Sequence, residues 1–396
     1  MNNLRVGLIG AGFLAETRAR CWKRVFGSSV VVGAVASRDA NKATDFARRH
    51  GFERGVDVEA LLADSSIDLV DLCVPNRVHR ELTERAAAAG KHVLCTKPLT
   101  AYWGQGLGES ASAEDVAAVD RPTMLQHAVD DARAMVEACK EAGVQLFYGE
   151  NWVYAPSIRR AAELTAASKG VLLEMRGWES HSGSHSPYSK DWRHTGGGAL
   201  LRLGAHPIGA MLWLKRREGE RLRGKPTRVE AVTAEVTDLT KSPLLADAST
   251  KVATGWNGVE SWGLCVLHFD DGTRGTVYGS DTMLGGMQSR LTLLASDHHL
   301  DCNLSPHDQL RAYAPVDRTF GDEYVMEKVD GQAGWSTPIP NEDESSGQQG
   351  MLQAIAEDLS NGTAPDSDGR LGLDVTRVVY SAYVSAAEGR RVALDS

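Results

Sequence analysis

The chain has 396 residues, of which 42% are hydrophobic and 24% are charged, and its formal net charge is −9 at pH 7. This composition is typical of a folded globular protein, and the length predicts two or three domains. The acidic balance argues against a general nucleic-acid or membrane-surface binder, which would need a basic face, and no apolar run is long enough to span a bilayer.

The first 150 residues alternate strand-like and helix-like segments. Apolar, strand-like runs cover residues 4–9, 30–36, 69–74, 92–95 and 144–148. Strands that alternate with helices predict a parallel sheet with helices on both faces. The chain enters its first strand without a charged segment followed by an apolar one, so we expect no signal peptide. The six scattered cysteines form no CxxC pair, and we expect free thiols in a cytoplasmic protein.

The first strand leads directly into a glycine-rich turn. Gly10, Gly12 and Ala15 form a GxGxxA run between this strand and a helix. The first glycine permits the tight turn, the second lets a pyrophosphate approach the backbone, and the alanine allows the helix to pack closely on the strand. Phe13 and Leu14 begin the helix, whose free N–H groups would face the phosphates. The run predicts dinucleotide binding rather than a purely structural turn.

The residues that follow the second strand should meet the adenosine ribose of the dinucleotide. Ser37 and Arg38 favour the 2′-phosphate of NADP, whereas Asp39 could neutralise the arginine. Arg38 could also stack on the adenine without any phosphate. These residues leave the choice between NAD and NADP open. We expect NAD as the cofactor, with NADP as the alternative.

The ends of the fourth and fifth strands carry further candidate cofactor contacts. Pro75, Asn76 and His79 follow the fourth strand, and Thr96 and Lys97 follow the fifth. In an open parallel sheet, residues just beyond the carboxyl ends of the strands line the ligand crevice. Lys97 is therefore expected near the nicotinamide ring. Its alternative is a surface lysine, against which the preceding apolar strand and the following proline argue.

A second glycine-rich turn occurs in the middle of the chain. Three glycines at 196–198 open a predicted helix on which Arg202 and His206 are four residues apart and share one face. Together with the runs above, this turn resembles the Gfo/Idh/MocA family of NAD(P)-dependent oxidoreductases over most of the chain. The motifs that carry the resemblance are the GxGxxA start, PNxxH at 75–79, KP at 97–98, GGGALLxxGxH at 196–206 and SAYVSAAEGR at 381–390.

The resemblance implies an α/β protein with two domains. Residues 1–150 would form a Rossmann dinucleotide-binding domain. Residues 151–396 would form a substrate-binding and oligomerisation α/β domain with a large, open, mostly antiparallel sheet, whose C-terminal helices return to the first domain. The family implies sugar or cyclitol substrates and a homodimer or homotetramer. Lys97 matches the lysine of the family's EKP motif, and His206 matches its catalytic histidine.

Two positions depart from the family pattern. Thr96 stands where the family has the glutamate of EKP, and Arg202 stands where it usually has an aspartate. An arginine stays protonated at neutral pH and cannot act as a base. It can bind an anionic substrate through its fork of N–H donors, or it can fold back onto a surface carboxylate of the protein itself. The sequence leaves both interpretations open.

Two loops are candidates for covering the site. Residues 101–126 read as a surface insert whose length suggests a lid or an oligomer contact. Residues 179–194 form the most polar stretch and suit a polyhydroxylated or anionic ligand, with a plain solvated loop as the alternative. We expect no metal site there, because Gly183 interrupts the HxxxH spacing. The candidate substrate contacts, besides Lys97, Arg202 and His206, are Tyr154, His181, His185, Trp192, Arg193 and His194.

These residues support three hypotheses for function. In the first, a dehydrogenase oxidises a hydroxyl-bearing carbon of a sugar, with His206 as general base assisted by Lys97. In the second, a redox-neutral glycosidase oxidises the sugar transiently and cleaves an anionic glycoside such as a sulfoquinovoside. The third, a non-catalytic sensor that binds the cofactor, is disfavoured because Lys97 and His206 are both present.

Overall fold

The fold contains two large sheets and a small two-stranded one. A computed structural model describes residues 3–108, 110–184, 187–306, 308–322 and 331–394. Among these residues no helix is both long and apolar enough to cross a bilayer. All six cysteines are free thiols, as expected, and only Cys73 is more than slightly exposed.

The first sheet is six-stranded and parallel, with strand order β3-β2-β1-β4-β5-β6. Its strands are β1 Leu4–Ile9, β2 Val30–Ala36, β3 Gly55–Val56, β4 Leu69–Leu72, β5 His92–Thr96 and β6 Leu146–Gly149. The helices between them are α1 Phe13–Trp22, α2 Ala40–His50, α3 Val58–Ala63, α4 His79–Ala88, α5 Ala113–Ala118 and α6 Arg121–Glu141. The doubly wound architecture predicted from the sequence is confirmed, and its ligand crevice lies beyond the carboxyl ends of β1, β4 and β5.

The second sheet is seven-stranded, with order β12-β11-β7-β10-β9-β8-β15. Its strands are β7 Leu172–Ser180, β8 Val229–Thr237, β9 Trp262–Phe269, β10 Arg274–Ser280, β11 Gln288–Ala295, β12 His299–Asn303 and β15 Val392–Ala393. All pairs are antiparallel except β7 with β10. The mostly antiparallel sheet is as expected.

The remaining helices are α7 Pro156–Ala167, α8 Trp192–Thr195, α9 Ala205–Arg223, α10 Glu342–Ser345, α11 Gln348–Asn361 and α12 Gly369–Glu388. Of these, α7, α9 and α12 pack against strands of the second sheet. Strand β9 alternates along its length, so Cys265 and Leu267 are buried on the helix side, whereas Leu264 and Val266 are half-exposed on the other. The short strands β13 Ala312–Ala314 and β14 Gly334–Ser336 pair only with each other.

The C-terminal segment contacts both sheets and the helices around the first one. Helix α12 packs against both α6 and β8, and α11 packs against α1. The N–H of Tyr148, in β6, donates to the Ser367 carbonyl at 2.8 Å. The proposed domain boundary at residue 150 falls directly after β6.

The insert at 101–126 contacts the rest of the protein and is not a free surface loop. Its first residues are buried, whereas much of the remainder is exposed. Tyr102 is buried, and its N–H donates to the Tyr380 hydroxyl at 2.6 Å. Asn257 donates to Glu114 at 2.8 Å, which joins α5 to a loop that precedes β9. Helix α6 begins at Arg121, earlier than the position near His127 expected from the sequence, because Asp120 caps it and a proline occupies its first turn.

Candidate active site

The glycine-rich turn after β1 has the geometry that a dinucleotide requires. Gly10 has φ of 122°, and a Cβ there would lie 2.2 Å from the Cys73 carbonyl oxygen, so only glycine fits. Gly12 is exposed at the N-cap of α1, which has no side-chain cap, and a Cβ there would meet no atom within 4 Å. This open space in front of unpaired helix N–H groups fits a pyrophosphate. Phe13 is exposed and Leu14 half-buried beside it.

The end of β2 separates the roles of Arg38 and Asp39. Asp39 caps α2 by accepting from the N–H groups of Asn41 and Lys42 at 2.9 and 3.2 Å. Ser37 contacts only Asp39 in the described structure, through bonds of 2.6 and 3.1 Å. Arg38 is exposed, and no ion pair or hydrogen bond of the described residues involves it. The cap therefore commits Asp39 to the helix and leaves the Arg38 guanidinium open toward solvent.

The loops after β4 and β5 are braced by a buried histidine. The ring nitrogens of His79 lie 2.9 to 3.2 Å from the carbonyl oxygens of Val74, Pro98 and Leu99. Burial lowers the pKa of His79. The residue thus supports the loop that carries Lys97 from behind, rather than lying in the crevice as a cofactor ligand.

Asn76 connects the two parts of the site. Its amide nitrogen donates to the Thr195 carbonyl at 2.7 Å, in the loop before the central glycines. Its side-chain oxygen is buried and has no hydrogen-bond partner within the described part of the chain. A buried acceptor without a donor at the mouth of the crevice fits a ligand that supplies one. Pro75, which precedes Asn76, is exposed, and Thr96 at the end of β5 is buried.

Lys97 reaches from the first sheet to the second. It is half-buried, and its Nζ donates to the Arg202 carbonyl oxygen at 2.5 Å. Arg202 lies in a π-helical turn, Leu200–Gly204, and not in the regular helix expected from the sequence. The Arg202 carbonyl in this irregular turn is the acceptor that holds the Lys97 ammonium group.

The three glycines before this turn are held by a buried carboxylate. The Glu260 side chain accepts from the N–H groups of Gly198 and Leu200, each at 2.9 Å, and from the Tyr383 hydroxyl at 2.8 Å. A Cβ on Gly198 would lie 2.0 Å from the Glu260 carbonyl oxygen, which explains the glycine. Burial raises the pKa of Glu260. Glu260, which lies just before β9, thereby fixes where the turn, and the helix after it, begin.

His206 forms a buried pair with Glu150. Its Nδ1 lies 2.7 Å from Glu150 Oε1, and its ring stacks on Trp152 at a centroid distance of 5.9 Å. Glu150 follows β6, and a Cβ on Gly209 would lie only 2.7 Å from its side chain, so α9 makes room for it. Burial raises the pKa of Glu150 to about 8, and the positive charge of Lys97 opposes that shift. The pairing at Nδ1 leaves Nε2 as the nitrogen that can exchange a proton.

Arg202 pairs with a carboxylate of the chain itself. Both terminal nitrogens contact Asp281, which is fully buried after β10, and Nη1 lies 3.2 Å from Oδ1. Its guanidinium also lies 5.1 Å from the centre of the Trp256 ring. Of the two interpretations left open by the sequence, the fold-back onto a carboxylate is therefore observed. That carboxylate is buried, whereas the sequence suggested one at the surface.

Several predicted substrate contacts engage in packing instead. The Tyr154 hydroxyl accepts from the Ser367 N–H at 3.1 Å, and its ring is buried. Trp192 is buried against Tyr383, with a ring distance of 5.2 Å. Both aromatic rings are buried among other side chains of the protein.

The histidines of the polar loop have different surroundings. His181 is buried, and its Nδ1 accepts from the Gly183 N–H at 2.9 Å. His194 is half-exposed and lies 2.8 Å from Asp191, and Arg193 is half-buried next to it. His185 lies outside the described residues. The structure thus brings together Lys97, Arg202, His206 and His181, and it adds Glu150, Asp281, Trp152 and Trp256, which the sequence analysis did not select.

Two family models match the chain. Residues 4–119 match an oxidoreductase family with an NAD-binding Rossmann fold, and residues 158–300 match the GFO/IDH/MocA C-terminal domain. The chain is 27% identical to D-xylose 1-dehydrogenase (NADP(+)) 2 of Haloferax volcanii, with 91% of each protein covered. It is 25% identical to D-apiose dehydrogenase of Paraburkholderia graminis, over 98% of this chain and 89% of the relative.

Solved structures with the same fold include proteins crystallised with NAD or NADH. GenD2 from gentamicin A biosynthesis, in complex with NAD, has a TM-score of 0.77 and 25% identity over 100% of this chain and 97% of that one. Levoglucosan dehydrogenase in complex with NADH and L-sorbose has a TM-score of 0.69 and 21% identity over the whole of both chains.

Substituting Gly12 by Val should weaken NADH binding without unfolding the protein. The backbone at Gly12 has φ of −102°, which any residue adopts, and a Cβ would enter open space rather than protein. The larger side chain would fill the space for the pyrophosphate. We expect the NADH affinity, measured by fluorescence titration, to fall at least about tenfold, or about 1.4 kcal/mol. The melting temperature should stay unchanged.

Gly10→Ala provides the contrast, because its Cβ would collide with the backbone at Cys73. That variant should lose thermal stability as well as NADH affinity. Full NADH affinity in Gly12→Val would show that the dinucleotide does not bind at this turn.

Proposed function

The chain belongs to the Gfo/Idh/MocA family of oxidoreductases with an NAD-binding Rossmann fold, and on that premise we propose that it oxidises a hydroxyl-bearing carbon of a sugar or sugar derivative. Bound NAD supplies the acceptor for the hydride that leaves the sugar carbon. The hydroxyl proton goes to His206 Nε2, and the carbon–oxygen bond becomes a carbonyl. The xylose and apiose dehydrogenases among its relatives support a sugar as the substrate.

One observation carries this proposal. Lys97 lies close to the His206–Glu150 pair at the mouth of the dinucleotide crevice. Glu150 holds Nδ1 of His206, and Lys97 is held by the carbonyl of Arg202 in the turn that precedes His206. A base and a cation beside one hydroxyl favour its deprotonation, because the cation stabilises the negative charge that develops on oxygen.

The redox-neutral glycosidase would use the same residues, so product analysis must separate the two. The purified protein is incubated with NAD⁺ and a panel of sugars and aryl glycosides, and reduced cofactor and released aglycone are followed together. A dehydrogenase accumulates reduced cofactor in proportion to oxidised sugar. Release of aglycone that depends on NAD⁺ without net reduction would contradict the proposal. NADH binding without either reaction would favour a sensor.

Lys97→Ala should reduce the turnover number by about 10² to 10⁴ while cofactor affinity changes little. The substitution removes the cation beside the reacting oxygen but leaves the glycine turn intact. Steady-state rates and NADH titration measure the two effects separately. Lys140→Ala, at an exposed lysine on α6, is the matched control and should retain full activity. Unchanged turnover in Lys97→Ala would remove this residue from the active site.

The pH dependence of sugar oxidation should reflect Glu150. Above its pKa of about 8 the carboxylate is charged and supports proton uptake by His206, whereas below that pH it holds a proton itself. We therefore expect the turnover number to rise as the pH increases through about 8. Glu150→Gln keeps the size but never becomes charged, so this rise should disappear and the turnover number above pH 8 should fall by about 10².

Asp374→Asn on α12 is the control for this experiment. Burial also raises the pKa of Asp374, but its ion-pair partner is Arg377, so the profile should be unaffected. An unchanged pH profile in Glu150→Gln would contradict the assigned role of Glu150.

We further propose that the chain forms a homodimer or homotetramer through the uncovered face of the second sheet. Leu264, Val266 and the edge-to-face pair of Trp262 and Tyr278 lie half-exposed on this face. Apolar side chains in such an array favour burial against a second copy. Light scattering should give a mass of two or four chains, and Val266→Lys should lower it. A monomeric mass for the unmodified protein would contradict the proposal.

A further inference from the structure

Asp281 is a fully buried carboxylate that the proposed chemistry does not use. It follows β10, and its own N–H donates to the Ser261 carbonyl at 2.8 Å, so its backbone is fixed. Both of its oxygens contact the terminal nitrogens of Arg202 in a two-pronged ion pair. A buried carboxylate held in this way gives the guanidinium a fixed position and balances its charge.

The neighbouring strand makes this arrangement rigid. Strands β7 and β10 run parallel, with Ser180 opposite Ser280, so His181 and Asp281 follow side by side. The His181 N–H donates to the Ser280 carbonyl at 3.0 Å, and the Met283 N–H donates to the His181 carbonyl at 3.1 Å. The two strand ends are thus joined on either side of Asp281.

His181 does not replace Arg202 as the cation for Asp281. Its Nδ1 lies 3.5 Å from Asp281 Oδ1, but the same nitrogen accepts the Gly183 N–H at 2.9 Å. A nitrogen that accepts a hydrogen bond carries a lone pair and no proton. The charge of Asp281 is therefore balanced by Arg202.

Arg202 also connects Asp281 to Lys97. Its side chain is held by Asp281 and by the Trp256 ring, while its backbone carbonyl accepts from Lys97. Any shift of the guanidinium would be transmitted to the turn that carries this carbonyl. Asp281 therefore holds Arg202 directly, and it holds Lys97 indirectly through the Arg202 carbonyl.

We propose that Asp281 is a positioning and specificity-determining residue, which holds Arg202 as a donor to an uncharged sugar hydroxyl and makes the site discriminate against anionic sugars. This inference rests on the proposed sugar oxidation. An incoming carboxylate would have to approach a guanidinium that is already paired, next to a fixed negative charge, and this repulsion disfavours it.

Binding of matched sugars to the NADH complex tests this selection independently of turnover. The probes are D-glucose with D-glucuronate and D-galactose with D-galacturonate, titrated by calorimetry. We expect the unmodified protein to bind the neutral member of a pair at least tenfold more tightly. Asp281→Asn leaves the charge of Arg202 unbalanced and should shift this ratio at least tenfold toward the anion. Arg202→Met removes the guanidinium that faces Asp281 and should shift it in the opposite direction.

Asp301→Asn, which removes the carboxylate of the exposed Arg290–Asp301 pair, is the control and should leave the ratio unchanged. If Asp281→Asn fails to fold, Arg202→Met still tests the direction of the shift. Equal loss of both sugars in the two variants, tighter binding of the anion by the unmodified protein, or no binding of either pair would overturn the inference. The binding pattern without any cofactor reduction would instead retain charge selection and reject the proposed oxidation.

Discussion

The hydrogen bond from Lys97 to the Arg202 carbonyl is the contact on which the rest of the site depends. Lys97 comes from the first sheet and Arg202 from the turn that leads into α9. The carbonyl belongs to an irregular, π-helical turn, Leu200–Gly204, directly before α9. The same short segment carries His206, so one irregular turn brings the cation and the base to the edge of the dinucleotide crevice.

The fold and the cofactor turn could be predicted from local patterns. Alternation of strands and helices defines the first sheet, and the conformational demands at Gly10 and Gly12 are visible in the GxGxxA spacing. Lys97 and His206 could be selected because each follows a glycine-rich or strand-end motif. Such signals are local, since they depend on residues that are neighbours in sequence.

The carboxylates of the site could not be predicted, because each pairs with a residue far away in the sequence. Glu150 and His206 are 56 positions apart, and Arg202 and Asp281 are 79 apart. No spacing rule connects such pairs before the strands are in register. Conversely, the sequence analysis predicts Tyr154 as a substrate contact, yet its ring is buried and its hydroxyl accepts from the Ser367 N–H. Aromatic side chains contribute more by burial than by remaining in a polar loop.

In the proposed oxidation, a hydride leaves the sugar carbon as a hydroxyl proton passes to His206. The most direct test uses the sugar that the protein oxidises fastest, with deuterium on every carbon, together with NAD⁺ in ordinary water. Mass spectrometry of the reduced cofactor should find one deuterium for each sugar oxidised. Reduced cofactor without deuterium, or labelled sugar that changes without any accumulation of reduced cofactor, would contradict the account.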